Sequence, residues 1–496
     1  MNYATLNPAH DLRSRCVGLA PLSARLEPWM TDAITVDGGR RLHAAVREFG
    51  SPVNLLHSES MSRNIAELNA VAERRQVSFR TFFARKANKC LTFVDAAAQA
   101  DAGVDVASEE ELQQVLDRGI AGQRIICTAA IKTDLLIAKC MQHSVTLAID
   151  NDDEVASVTR LAAGCANQTI SLAIRVSGFR NDGQKLHSRF GFDIDDVLPL
   201  IDSRWPETLK RAARVSGLHF HLDGYCAKQR ISAIQQTLPL IEKLRERGHE
   251  LQFLDIGGGF PISYLDDEQQ WFAFWEQLRQ SLLGEDSAAI TYRSHGLGLQ
   301  NIEGYIQGKP HVYPFYQSPT RADWFAGILD AEFDDREDIA AAIRHRKLEL
   351  RSEPGRSLLD GCGMTVARVE FRKRHHSGDW FIGLAMNRTQ CRTSSDDFLV
   401  DPIVVPVDRE PSSLPSDAIE GYLVGAYCTE SEQLSLRKMR FRHGISVGDL
   451  VIFPNTAGYL MHFLESRSHQ FPLARNLIVQ SGGSPPFCVD AIDRGN

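Results

Sequence analysis

The chain has 496 residues, of which 43% are hydrophobic and 24% charged, and a formal net charge of −8. Those proportions belong to a globular protein with room for two or three domains and a large buried core. The charge is spread without long single-sign runs, which argues against nucleic acid or an anionic membrane as the main partner, and no apolar run approaches the roughly 18 residues of a spanning helix.

The first 50 residues read as an irregular lead and an amphipathic helix, Arg40 to Phe49, that stops at Gly50. Asp11, Arg13 and Arg15 leave no apolar stretch for a signal peptide, and ten cysteines scattered without a C-x-x-C pair fit a reduced, cytoplasmic compartment. Ser51-Pro52 then breaks into a short strand, Val53 to His57, and a helix follows from about Ser60 to Arg74. From there strand and helix alternate, with strands ending near Lys86, Ala107, Thr128, Asp150, Val176, His221, Gly257 and Glu353. Eight such units predict a closed parallel α/β barrel, (β/α)8, over residues 51–356, because each parallel neighbour needs a helical crossover. Ser108-Glu109-Glu110-Glu111 fits a capping box, with Ser108 receiving the Glu111 amide and Glu111 reaching back. An insertion at about 291–336, rich in Tyr305, Tyr313, Phe315, Trp324 and Phe325, parts the last two units and reads as a lid or a subunit contact. After Arg356 come short alternating runs (Val366 to Phe371, Trp380 to Leu384, Val404 to Val407, Gly421 to Ala426, Leu450 to Phe453), which predict an antiparallel β domain over 357–496. Residues 1–50 are expected to pack with it.

The chemistry-bearing residues fall at strand ends, which a barrel brings to one rim. Lys86 follows the apolar strand through Phe82 and Phe83, where a partly desolvated mouth is expected to lower its pKa. Gly257-Gly258-Gly259 let a phosphate approach the backbone, with N–H groups expected to be exposed. Glu353-Pro354-Gly355-Arg356 delivers a carboxylate and a guanidinium to one loop, the first suited to a protonated ring nitrogen and the second to phosphate oxygens. A lysine to form an imine, a phosphate cradle and a partner for a ring nitrogen are the needs of pyridoxal 5'-phosphate. His219 and His221 share one strand face. His221 is placed to stack on a ring, whereas His219 reads as a core histidine, and no third ligand supports a metal there. Asp105 and Arg175 complete a charged network or form structural ion pairs. Tyr459 donates to the phosphate or belongs to the β core, and Cys428 before Thr429-Glu430 is either filler or a proton donor.

In this order, Phe83-Ala84-Arg85-Lys86-Ala87-Asn88, Gly103 to Ser108, Ser188-Arg189-Phe190-Gly191, Gly217 to His221, Asp255 to Pro261, Glu353 to Arg356 and Cys428 resemble the fold-type III pyridoxal phosphate decarboxylases, such as the diaminopimelate, ornithine, arginine and lysine enzymes. The resemblance implies an alanine-racemase-like barrel with a β domain, and a head-to-tail homodimer whose active sites are shared, the cysteine loop entering from the partner chain. It also implies that Lys86 forms the imine, His221 stacks on the ring, Gly257 to Gly259 with Arg356 and Tyr459 hold the phosphate, Glu353 faces the ring nitrogen and Cys428 is the acid after carbon dioxide leaves. Three departures stand out. His221-Leu222-Asp223-Gly224 lacks the family's usual Gly-Ser, and an aspartate beside a phosphate is unfavourable, so Asp223 is expected to point elsewhere. Glu432 closes the cysteine motif where aspartate is common. Met386 to Asp397 does not match the diaminopimelate enzymes' carboxylate-binding stretch, leaving Arg388 or Arg392 as substitutes. The expected reaction is decarboxylation of a basic diamino acid (lysine, ornithine or diaminopimelate, including the D-enantiomers), with Arg392, Thr429 and Glu430 near the substrate. The alternatives are a racemase on the same barrel and a non-catalytic, cofactor-binding regulatory homologue.

Overall fold

The computed structural model describes residues 12–163, 170–285, 289–393, 398–407, 417–480 and 486–494. In chain order the elements used below are β1 (Cys16–Gly18), α1 (Pro28–Thr35), α2 (Arg40–Phe49), β2 (Val53–Leu56), α3 (Ser58–Arg74), β3 (Phe79–Ala84), α4 (Leu91–Gln99), β4 (Gly103–Val106), α5 (Glu109–Asp117), β5 (Ile125–Cys127), α6 (Asp134–Gln142), β6 (Thr146–Ile149), α7 (Asp152–Ala162) and β7 (Ile170–Ser177). Then come α8 (Glu207–Ala212), β8 (Ala213–His219), α9 (Ala227–Arg245), β9 (Phe253–Asp255), α10 (Glu268–Leu283), α11 (Arg321–Leu329), α12 (Ile339–His345) and β10 (Glu349–Ser352). The second sheet adds β11 (Gly363–Arg374), β12 (Trp380–Leu384), β13 (Ile403–Val405), β14 (Ile419–Val424), β15 (Met439–Phe441), β16 (Leu450–Pro454), β17 (Arg475–Val479) and β18 (Phe487–Val489).

Strands β3 to β10 pair in parallel in the order β7-β8-β9-β10-β3-β4-β5-β6, and β6 returns to β7, so the barrel closes. The strands are buried along nearly their whole length, as expected where helices cover the outside and side chains fill the inside. Polar caps start several of the outer helices: Ser108, Thr133 and Asn151 each accept a backbone N–H at the head of α5, α6 and α7. At α5 the Glu111 carboxylate reaches past the expected Ser108 amide to the N–H of Ala107, at 2.7 Å.

The second sheet has ten strands, in the order β1-β15-β14-β12-β11-β2-β17-β18, with β16 joining β11 to β13. Its twelve-residue strand β11 pairs with β2 and β16 along its first half and with β12 along its second. Two pairings, β12 with β14 and β2 with β17, are parallel, because the chain leaves the sheet between those strands and re-enters in the same direction. Strand β2, expected within the barrel segment that starts at residue 51, belongs to this sheet instead. Apolar residues of α1 and α2, Met30, Ile34, Leu42 and Val46, bury against Val53, Val366 and Ile452.

The aromatic insertion divides between two cores. Trp324 and Phe325 sit on α11, an outer barrel helix, and their rings lie 5.0 and 5.6 Å from Phe260. Tyr313 and Phe315 pack on Tyr264 at 5.6 and 5.1 Å, in a cluster shared with Leu384, Met386, Leu423 and Phe453 of the second sheet. These residues form a buried wedge between the two parts, not a detachable lid, while Tyr305 on a hairpin stays exposed. Among the described residues no helix is long and apolar enough to cross a membrane.

Candidate active site

At the C-terminal ends of the barrel strands lies a cavity of about 430 Å³ lined by His221, Leu222, Asp223, Gly224, Tyr225, Gly259, Phe260, Gly355, Arg356, Thr393, Tyr459 and Phe463. Lys86 leaves β3 in a single 3-10 turn, with its Nζ 3.2 Å from Oδ2 of Asp105 at the end of β4. Asp105 is buried and its Oδ1 accepts from the Thr128 hydroxyl at 2.5 Å. Burial pulls the Lys86 ammonium down, but Asp105, Tyr459 and Glu353 outweigh it and hold the amine well above its ordinary value. The lowered lysine expected from sequence is therefore reversed in the cofactor-free chain, because three acidic groups converge on it.

Below this point the barrel floor holds His219, Asp255 and Glu353, whose donor atoms lie within 4.8 Å of one another. Burial raises Glu353 to about 8, with Asp105 adding to it, and raises Asp255 to about 7, with Glu353 adding to it. Burial lowers His219 to about 4. His219 Nε2 lies 3.2 Å from Glu353 Oε1, yet neither atom has hydrogen-bond geometry to any partner. His219 is thus buried as expected but not satisfied, and it works as the neighbour of the carboxylate.

Two of the three glycine amides are already spent. Gly257 N–H donates to Oδ1 of Asp255 at 2.9 Å and Gly258 N–H donates to Nδ1 of His221 at 3.2 Å. The exposed N–H groups expected here therefore reduce to that of Gly259. The bond from Gly258 makes Nδ1 of His221 an acceptor, which puts the ring proton on Nε2. Burial, with Lys86 and Arg230 adding to it, keeps that imidazole neutral. The glycines are required by space: a Cβ on Gly257, at φ +67°, would stand 2.5 Å from the Phe220 carbonyl, and one on Gly258 2.6 Å from that of Glu353.

Arg356 donates to the Tyr264 hydroxyl at 2.8 Å and to the Gly458 carbonyl at 3.1 Å, and lies 4.2 Å from the Tyr313 ring centre and 5.1 Å from that of Tyr459. Tyr459 adopts φ +70° with its N–H on the Ala87 carbonyl, which brings its hydroxyl beside Gly355. A Cβ on Gly355 would meet that hydroxyl at 2.6 Å. Arg175 pairs with Asp150 at 3.6 Å and lies over the Phe190 ring, so it joins the Ser188-to-Gly191 loop rather than Asp105.

Other expected residues lie outside the cavity wall. Cys428 is exposed in its loop, Thr429 caps the same turn, and Glu430 is exposed with Arg293 at 3.8 Å. Glu432 is buried, accepting the Arg388 N–H at 2.7 Å. Arg392 is buried and donates to the Gln433 carbonyl at 2.5 Å, so its neighbour Thr393 reaches the cavity in its place. The end of that stretch, 394–397, lies outside the described residues. Asp223, expected to point away, lies on the wall of this cavity and of a second one of about 220 Å³ beside it. Sequence reasoning missed Tyr225, Tyr264, Phe463 and Arg230. Tyr225 and Arg230 carried one signal, their place in the loop and first helical turn after the His221 strand.

The arrangement fits pyridoxal phosphate. A flat neutral imidazole and a cation with a tyrosine at a glycine-lined wall surround one cavity, the Lys86 amine is held by Asp105 at the same strand ends, and Oε1 of the buried Glu353 carboxyl has no hydrogen-bond partner. Residues 62–285 match the family model described as "Pyridoxal-dependent decarboxylase, pyridoxal binding domain". An uncharacterised protein of Sinorhizobium fredii is 30% identical over 96% of this chain and 97% of its own. Ornithine decarboxylase of Caenorhabditis elegans is 29% identical over 43% of this chain and 51% of its own, so that match spans about half of the enzyme. Among solved structures, diaminopimelate decarboxylase of M. jannaschii superposes with a TM-score of 0.64 at 16% identity over 90% of both chains, a likeness of fold.

Proposed function

The chain belongs to the fold-type III pyridoxal phosphate-dependent decarboxylases as a divergent member, and from that premise we propose that it removes the α-carboxylate of an amino acid with a distal amine, of the ornithine, lysine or diaminopimelate kind. When bound, pyridoxal phosphate supplies an electron-withdrawing ring that accepts the electron pair left as carbon dioxide departs. The observation that carries the reading is Glu353: a buried carboxyl whose Oε1 has no hydrogen-bond partner is costly, and a protonated ring nitrogen would answer it. Arginine in that position would suit a racemase; a carboxylate favours full delocalisation and loss of carbon dioxide.

Lys86 is the amine that anchors the cofactor, and Asp105 holds and orients it. His221, fixed by the Gly258 amide, offers a neutral face for the ring, while Arg356, Tyr459 and the Gly259 amide serve the phosphate. Cys428 returns the proton to the α-carbon. Its exposure supports a homodimer in which each loop enters the other chain's site. For the distal ammonium, Asp223 is the carboxylate on the wall and Glu430 the one carried by the cysteine loop.

The test is carbon dioxide release by the cofactor-loaded protein on D- and L-lysine, D- and L-ornithine, L-arginine and meso-diaminopimelate, with Lys86→Ala as control. Release from one of them that vanishes in the control establishes the substrate and its handedness. Absence of release from all, with the absorbance of lysine-bound cofactor present, overturns the basic-substrate reading and turns the search to racemisation.

A further inference from the structure

Among the described residues three arginines are buried almost completely, and they are not equivalent. Arg85 donates to the carbonyls of Asn88 and Lys89 and to Oε1 of Gln114. Arg437 pairs with Asp401 at 2.7 Å and donates to the carbonyls of Leu399 and Ala20. Arg230, in the first turn of α9, donates from Nη1 to the Ile256 carbonyl, lies 5.4 Å from the Trp324 ring centre, and leaves Nε without a partner. Among the described residues no carboxylate stands within ion-pair distance of it, and Asp255 acts on it only from farther away. Burial accordingly lowers it to about 10. A charge held out of water without a counter-ion is expensive, so something outside the chain is expected to match it.

Its position says what. The guanidinium is pressed against the back of the glycine stretch: a Cβ on Gly259 would lie 2.8 Å from Nη2 and 2.9 Å from the Gly224 carbonyl. Gly224 and Gly259 both line the main cavity, so the cation stands directly behind two residues of its wall that carry no side chain. The same wall is short of anion partners. Gly257 and Gly258 have given up their amides, and the loop after His221 presents the carboxylate of Asp223 where the resemblance calls for a hydroxyl. A dianion there needs a positive charge that Arg356 alone must otherwise supply.

We propose that Arg230 is a phosphate-positioning residue: a buried guanidinium behind Gly259 whose charge is matched when the dianionic phosphate monoester of the cofactor enters the adjoining cavity. The inference rests on the cofactor assignment above and concerns only its phosphate end. The competing role is a structural pin for the Ile256 carbonyl and the Trp324 ring.

The two roles separate by titrating the cofactor-free protein with pyridoxal phosphate and with pyridoxal, which has the same aldehyde and ring but no phosphate. Binding is read from the absorbance of the lysine-bound ligand. Arg230→Gln is expected to raise the Kd for pyridoxal phosphate about tenfold, the size of a Coulomb attraction acting across the intervening backbone, and to leave the Kd for pyridoxal within about twofold. Equal weakening of both ligands, or no change for pyridoxal phosphate, overturns the proposal. If Arg230→Gln does not fold, Arg230→Lys keeps the charge but shortens its reach toward Gly259, and a several-fold rise in Kd for the phosphorylated ligand alone is expected; an equal weakening of both ligands, or no change for either, is again fatal. Wild-type binding of both ligands that disappears in Lys86→Ala checks the cofactor assignment separately.

Discussion

Replacing Glu353 by glutamine tests whether this carboxyl is a stored proton site in the cofactor-free chain. Burial carries it from an ordinary 4.5 to about 8, so at neutral pH the folded chain holds a proton that the unfolded chain has lost. A group raised in this way stabilises the fold fully below its unfolded value, and that stabilisation is lost as pH rises through its folded one. The useful window is pH 6.5 to 8. His219, lowered to about 4, is neutral there in the folded chain and half charged at the bottom of the window in the unfolded one, and Asp255 titrates near 7, but both are common to wild type and variant and cancel in the comparison. A full proton's difference is worth about 1.4 kcal/mol per pH unit, and because half of it is gone by pH 8 the window is worth between about 1 and 2 kcal/mol. Urea unfolding of cofactor-free wild type and Glu353→Gln at half-unit pH steps should show the wild type losing about that much more stability than the variant. Parallel pH profiles for the two proteins would refute the assignment of a raised carboxyl at this position. In the loaded enzyme the same substitution should lower kcat/KM at least tenfold, since glutamine cannot hold a positive ring nitrogen as a charge-assisted partner.

Gly355→Ala should weaken pyridoxal phosphate binding about tenfold in a spectrophotometric titration, because the added methyl collides with the Tyr459 hydroxyl and Ala87 and must displace the tyrosine. Arg437→Met should cost about 3–5 kcal/mol in urea unfolding, since it strands Asp401 in the interior; an effect below about 1 kcal/mol would mean that water reaches this pair. Lys86→Ala and Cys428→Ala, each inactive alone, should regain about a quarter of wild-type activity when unfolded together and refolded as mixed dimers, because half of the dimers then carry one intact shared site. No recovery would place both residues in the same chain's site.

The barrel was legible because its rule is strict: eight apolar runs, each followed by a helix, leave few other topologies, and all eight strands end within three residues of the expected positions. Lys86, His221, Gly259, Glu353 and Arg356 were legible for the same reason, since strand ends are where such a fold gathers side chains. What the sequence did not disclose was partnership. That Gly257 and Gly258 spend their amides on Asp255 and His221, or that three acidic groups reverse the shift expected of Lys86, depends on atoms brought together from distant segments. Asp223 was misjudged because it was weighed only against the phosphate expected beside it, whereas its loop runs between two adjoining cavities and lines both. Strand β2 was misplaced because four buried residues read alike in a barrel and in a sheet.

Strand β2 also bears on how this protein can be taken apart. The second sheet is closed in its middle by a strand that precedes the whole barrel in the chain, and its edge by β1, earlier still. Residues 357–496 therefore do not form a transferable module: excised, they leave β11 and β17 with open edges and apolar faces uncovered where β2, α1 and α2 belong. During synthesis β2 must wait for about 300 further residues, and β1 for about 420, before their partners emerge. A chimaera with a relative should exchange residues 12–56 together with everything after Arg356, and leave the barrel between them as the one contiguous cassette.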